Sequence, residues 1–110
     1  MNITDYKTKR KKLLDQMEGI DRMHEGRLSE EYRERVVDGR TLCNGPYYKH
    51  QQWKDGKNKS RRVKADEAER LREGIEGMDQ FKRLCEDYAQ TTVAMTEHME
   101  GQSDAKKNFK

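Results

Sequence analysis

Apolar residues are in short supply: of 110 residues, 31% are hydrophobic, 7% aromatic and 41% charged. A chain of this length makes one domain, and with so little apolar surface it either closes a small core or borrows a partner. No stretch approaches the roughly 18 to 20 apolar residues of a membrane span. The N-terminus runs into the basic segment Lys7-Thr8-Lys9-Arg10-Lys11-Lys12 where a secretory signal would have an apolar core. A cytoplasmic protein without membrane contact is expected. Cysteine is also scarce. Cys43 and Cys85, with no C-x-x-C, supply neither a disulfide framework nor a self-contained zinc site, and read as two free thiols. Catalytic signatures are missing as well, with no Gly-rich phosphate loop, no H-E-x-x-H and no G-x-S-x-G. His24, His50 and His98 lie too far apart in sequence to suggest a catalytic or metal set. The expectation is no enzyme, no cofactor and no metal.

What the chain does have is charge, unevenly placed. Residues 1–39 carry nine basic and nine acidic side chains; residues 40–64 carry eight basic side chains against the single Asp55. Residues 65–100 reverse the sign, with four basic and ten acidic side chains, and the last ten residues hold three Lys against Asp104. The formal net charge of +3 hides a cationic middle beside an acidic C-terminal half.

Periodicity predicts a helix over 4–24, with Tyr6, Leu13, Met17 and Ile20 on one side and a stop at Gly26. A second, short helix is expected from Ser29 to Val37: Ser29 would cap it, Glu30 and Glu31 fill its first turn, and Leu28, Tyr32 and Val36 share a side. Residues 45–64 read as a β-hairpin about Asp55-Gly56. From Asp66 to about residue 100 the series Ala68, Leu71, Ile75, Met78, Cys85, Tyr88, Thr92, Met95, Met99 forms a heptad seam, widened by Phe81 and Leu84. Gly74 and Gly77 inside it mark a bend or a close crossing. The expected fold is mostly α: two long antiparallel helices, a helical hairpin or coiled coil, with the short helix and the small β-hairpin at one end. Residues 1–100 would form one helical domain and 101–110 a flexible basic tail. Because the second helix outruns the first near Met95 and Met99, a homodimer or a protein partner is expected to cover the remainder.

The order Gly26, Leu28, Tyr32, then Gly45-Pro46-Tyr47-Tyr48, the turn Gly56-Lys57, the strand with Ser60-Arg61 and a long acidic helix resembles a family of small bacterial and archaeal proteins known only as a domain of unknown function. The resemblance covers roughly residues 12 to 90. Its members often carry a cysteine-rich knuckle just before Gly-Pro-Tyr-Tyr, similar to a metal or nucleic-acid site. Only Cys43 stands there in this chain, far short of the four ligands zinc needs. The resemblance implies no activity, and it implies company with mobile genetic elements.

The residues best suited to binding are Arg40, Lys49, Lys54, Lys57, Lys59, Arg61 and Arg62 around Tyr47, Tyr48 and Trp53. Cations neutralise phosphates, aromatic faces stack on bases, and a two-stranded ribbon fits a major groove. The expected function is a non-enzymatic accessory protein that binds DNA or RNA through this hairpin. The alternative is a protein-binding regulator, such as a phage or mobile-element inhibitor of a nucleic-acid enzyme. In the plainer structural reading, the three aromatics pack the hairpin onto the helices and the cations form a solvated edge.

Overall fold

The computed structural model describes the backbone of residues 1–107 and the side chains through residue 102. In chain order the elements are α1 (Ile3–Glu18), β1 (Arg27–Val37), β2 (Arg40–Lys54), β3 (Lys57–Val63) and α2 (Ala65–Lys107). The strands form one antiparallel sheet in the order β1-β2-β3. The chain divides into two compact units, one of Met1–Asp21 with Asp79–Lys110, the other of Arg22–Met78. No helix among the described residues is long and apolar enough to cross a membrane.

Two Asp-Gly pairs make the two tight turns. Asp38 and Gly39 have φ of 51° and 74°, and Asp55 and Gly56 have φ of 54° and 74°. A two-residue hairpin turn whose twist suits its strands needs both central residues in this left-handed region, which Asp tolerates and Gly adopts freely. The hairpin expected about Asp55-Gly56 is therefore present as β2 and β3. The mostly α architecture is overturned, because the segment expected as a short helix is the long strand β1. Its physical reason lies in the spacing. Leu28, Tyr32 and Val36 are four apart, which aligns them on a helix and, being an even number, on a regular strand as well. Ser29 followed by two glutamates imitates a helix start, while Asp38-Gly39 repeats the turn signal of Asp55-Gly56.

The β1–β2 pairing carries one irregularity. Glu31 stands opposite Tyr47 but Arg33 opposite Asn44, so Tyr32 alone faces Gly45 and Pro46, whose peptide bond is cis. The extra residue sits in β2, the place where a proline costs no ladder hydrogen bond, and side-chain alternation along β1 is unbroken. β3 pairs only with Tyr48–Lys54. Past it, β1 and β2 continue as a two-stranded ribbon to the Asp38-Gly39 turn, with every residue from Glu30 to Pro46 exposed.

In the Arg22–Met78 unit, Val63, Ala68 and Leu71 are buried, and Leu28 and Tyr48 pack against them. Strand alternation puts Leu28, Tyr48 and Val63 on one side of the sheet, the side the first turns of α2 cover. Arg72 of α2 reaches across to Glu30 at 2.9 Å and lies over the Tyr48 ring at 6.0 Å. Gly74 admits the His24 side chain against the helix backbone: a Cβ there would strike the His24 ring and approach its Cβ to 2.9 Å.

In the other unit, Asn2 and Asp5 form a reciprocal capping box that starts α1. α1 ends at Gly19, well before the expected residue 24. Its buried side is Tyr6, Arg10, Leu13 and Met17, each at least partly covered. The Tyr6 ring lies 5.9 Å from that of His98, Arg10 lies 4.7 Å over Tyr88, and Met17 Sδ is 3.9 Å from Cys85 Sγ. These contacts run antiparallel. Arg10, one of the basic run Lys7–Lys12, is a packing residue that also donates to the Tyr88 hydroxyl and touches Met95 Sδ at 3.8 Å. Met95 is thus buried, and only Met99 of the expected uncovered pair is exposed. The flexible tail expected over 101–110 begins on residues that extend α2 to Lys107; residues 108–110 lie outside the described ones.

The Gly74 contact yields a stability prediction of unusual sign. Gly74→Ala should destabilise, because overpacking of about 1 to 3 kcal/mol outweighs the roughly 1 kcal/mol helix-propensity gain. In a His24→Gly background, which removes the Cβ as well as the ring, the same change should stabilise by up to about 1 kcal/mol. Urea unfolding of the four proteins measures both.

Candidate functional site

The sheet has two unlike sides. Alternation puts Leu28, Glu30, Tyr48, His50, Arg61 and Val63 toward α2. Arg27, Ser29, Glu31, Lys49, Tyr47 and Arg62 fall on the opposite side, with Gln51, Trp53, Asn58 and Ser60. Because β1 alternates without a break, Arg33 and Arg35 continue this open side along the ribbon. Arg40, paired with Val37, and Leu42, paired with Arg35, follow them. The open side therefore gathers six cations, Arg27, Arg33, Arg35, Arg40, Lys49 and Arg62, and one acid, Glu31.

Two shallow hollows lie on it. One, of about 250 Å³, is bordered by Tyr47 with Glu31, Arg33, Lys49, Ser60 and Arg62, and touches Tyr48 and Arg61 as well. The Arg33 guanidinium is 5.2 Å from the Tyr47 ring centroid and that of Arg62 is 5.0 Å. Since β1 and β3 flank β2, the two guanidiniums reach the ring from opposite edges. The other hollow, of about 290 Å³, is bordered by Arg27, Gln51, Trp53 and Asn58. Trp53 is 72% exposed, so its indole is not a core residue. Its neighbours are amides and a cation, with no aromatic or aliphatic cover among them.

Charges on the two sides are satisfied differently. All four ion pairs found among the described residues include an α2 side chain: Arg22–Glu73 at 3.8 Å, Arg61–Glu67 at 2.6 Å, and Arg72 to Glu30 at 2.9 Å and to Glu69 at 3.0 Å. None of the six open-side cations belongs to an ion pair there. The hydrogen bond from Arg61, and secondarily its charge, holds the Glu67 carboxyl below its ordinary value, and the same bond raises Arg61.

The binding residues expected from sequence are thus split. Tyr47, Lys49, Trp53 and Arg62 come together on the open side, with Arg40 at the far end of the ribbon. Tyr48 is packed against α2, and Arg61 is paired to Glu67. Lys54, Lys57 and Lys59 alternate onto the same side as those two, Lys54 directly opposite Lys57. A helix over Ser29–Val37 puts Arg33 and Arg35 on no sheet face, so the expected set lacks them; Arg27 precedes that helix and joins the site only as the first residue of β1. The signal that would have found them is Asp38-Gly39, once read as a turn between alternating strands. Cys43 is exposed on the ribbon opposite Glu34. Among the described residues no three His, Cys, Asp or Glu side chains gather where a metal could bind.

The Arg61–Glu67 pair makes a pH prediction. Glu67 is depressed in the folded state, so its contribution is complete above the ordinary carboxyl value of 4.5 and disappears as pH falls through the lower folded value. The melting-temperature gap between the protein and Arg61→Ala should be small at neutral pH, as for any exposed pair, and should close in acid and in high salt. Thermal melts followed by circular dichroism check it.

No curated protein and no solved structure matches the chain. A family model matches residues 3–73, somewhat earlier than the span expected from the motifs, and takes in α1, the whole sheet and the beginning of α2. With most of its length in that match, the chain belongs to the family described as a domain of unknown function, DUF6788.

Proposed function

We propose that this protein binds nucleic acid, without catalysis, through the open side of its sheet. The observation that carries the reading is the sorting of charge: six cations free of carboxylate partners share one uncovered surface with Tyr47 and Trp53, against the single acid Glu31. Lys and Arg that neutralise phosphates release condensed counterions, which gives affinity without sequence reading. Arg, which supplies five of the six, also matches phosphate oxygens with its planar fork. The acidic start of α2 serves the other side, where Glu67 pairs Arg61.

Fluorescence anisotropy with labelled single- and double-stranded DNA and RNA tests the reading. Affinity should fall linearly with salt on logarithmic axes. Replacing Arg33, Lys49 and Arg62 together by Ala should reduce that slope by about 2 to 3, one lost phosphate contact for each residue. The triple Ala variant of Lys54, Lys57 and Lys59, on the other side, should lose much less. Absence of any salt-dependent binding, or equal losses in the two triples, would overturn the assignment. In the first case the surface would be left to an acidic protein partner, as a regulator or inhibitor requires.

A further inference from the structure

The two hollows of the open side are chemically different, and they lie six residues apart on β2. Resting on the nucleic-acid reading above, we propose that the ligand is a single strand, held by a phosphate at the Arg33–Tyr47–Arg62 stack and by an unstacked base on Trp53. Tyr47 is then a positioning residue that contacts no base.

Tyr47 is a poor stacking platform because guanidiniums approach its ring from both flanking strands, at 5.2 Å and 5.0 Å. What the ring does instead is hold them. Arg side chains normally lose much rotamer freedom when they bind, and a cation–π contact to a ring fixed in the central strand removes part of that loss beforehand. Two oriented guanidiniums with Lys49 and the Ser60 hydroxyl bring several donors to the hollow, three of their groups cationic against the single carboxylate of Glu31, which suits an anion with several acceptor oxygens. At Trp53 the chemistry is reversed. The indole is 72% exposed beside Gln51 and Asn58, whose amides can donate to and accept from a base edge.

Geometry selects the single strand. The span from Tyr47 to Trp53 is about 20 Å, at most about six stacked nucleotides and fewer if the strand is extended. A base inside a duplex keeps its face covered by its neighbours and has none to offer an indole. A major groove admits a two-stranded ribbon, whereas the Tyr47 hollow is built by three strands side by side.

Trp53 is the single tryptophan of the chain, so its emission reports the base site directly. The experiment compares a single strand of about 16 nucleotides, an abasic strand of the same length and a duplex. The single strand should quench Trp53 and bind more tightly than the duplex, while the abasic strand binds without quenching. Trp53→Ala should weaken the single strand by about 5- to 150-fold and leave the abasic strand unchanged. Tyr47→Leu should weaken both strands by a similar factor with little change in salt slope, and Tyr47→Phe, which keeps the ring, should restore them. Replacing both Arg33 and Arg62 by Ala should instead lower the slope by about 1.4. Duplex binding as tight as the single strand with Trp53 emission unchanged, or a Tyr47→Leu loss confined to strands that carry bases, would overturn the two-site assignment while leaving nucleic-acid binding in place. Loss of all salt-dependent binding would remove both.

Discussion

The packing of the first turns of α2 across one side of the sheet decides most of what the Arg22–Met78 unit can do. The buried set is small: Val63, Ala68 and Leu71, with Leu28 and Tyr48 partly covered. Each of its strand residues, Leu28, Tyr48 and Val63, also sets the orientation of its neighbours, because side chains alternate with a period of two. With Val63, Tyr48 and Leu28 turned toward the helix, Arg62, Tyr47, Lys49 and Arg27 must turn away. A one-residue slip of any strand would send the cations into the core. The core therefore fixes the register, and the register makes the basic surface.

A chain that is 41% charged needs somewhere to put its charges, and this one separates them by partner. Glu67 of early α2 neutralises Arg61 on its side of the sheet, and Arg72 answers with a link back to Glu30 on β1. Exposed pairs of this kind add little stability. Their greater effect is on the field: with the acids of α2 kept to one side, the opposite side retains its positive potential with little internal compensation. Lys54 opposite Lys57 is the exception, a like-charged pair near the second turn that strand pairing alone would disfavour.

Legibility in the sequence followed how many physical signals agreed at each element. At Asp55-Gly56 a turn dipeptide lies between an aromatic run and a polar one, and all three signals point to the hairpin that is present. At Asp38-Gly39 the same dipeptide was outweighed by a four-residue spacing that suits both periodicities and by a false cap at Ser29. A helix over Ser29–Val37 leaves two strands where the structure has three, and keeps Arg33 and Arg35 off any sheet face. The helices were legible as elements but not in detail. Gly19 ended α1 before Gly26 could, and the helix seam runs through Leu84, Tyr88, Thr91 and Met95, so Cys85, counted as a seam position, is exposed. Trp53 shows the deepest limit, since composition cannot say whether an aromatic faces a core or solvent until the register is known.

The register also explains how a surface built on so few buried residues can hold its side chains in order. An open sheet face carries no loops to mould around a ligand, so order must come from contacts among the surface side chains themselves. Tyr47 supplies it because it occupies the central strand, the one position from which a single ring reaches a cation on each neighbour. The bulge at Gly45–Pro46 matters here. Without the extra residue in β2, Arg33 would oppose Gly45 in place of Asn44, and the ribbon beyond would keep its original alternation in β2. With it, Leu42 and Arg40 come to the side of Arg33 and Arg35, extending the cationic surface to the ribbon's end. A local irregularity in one strand thus lengthens a cationic surface that the regular part of the sheet only begins.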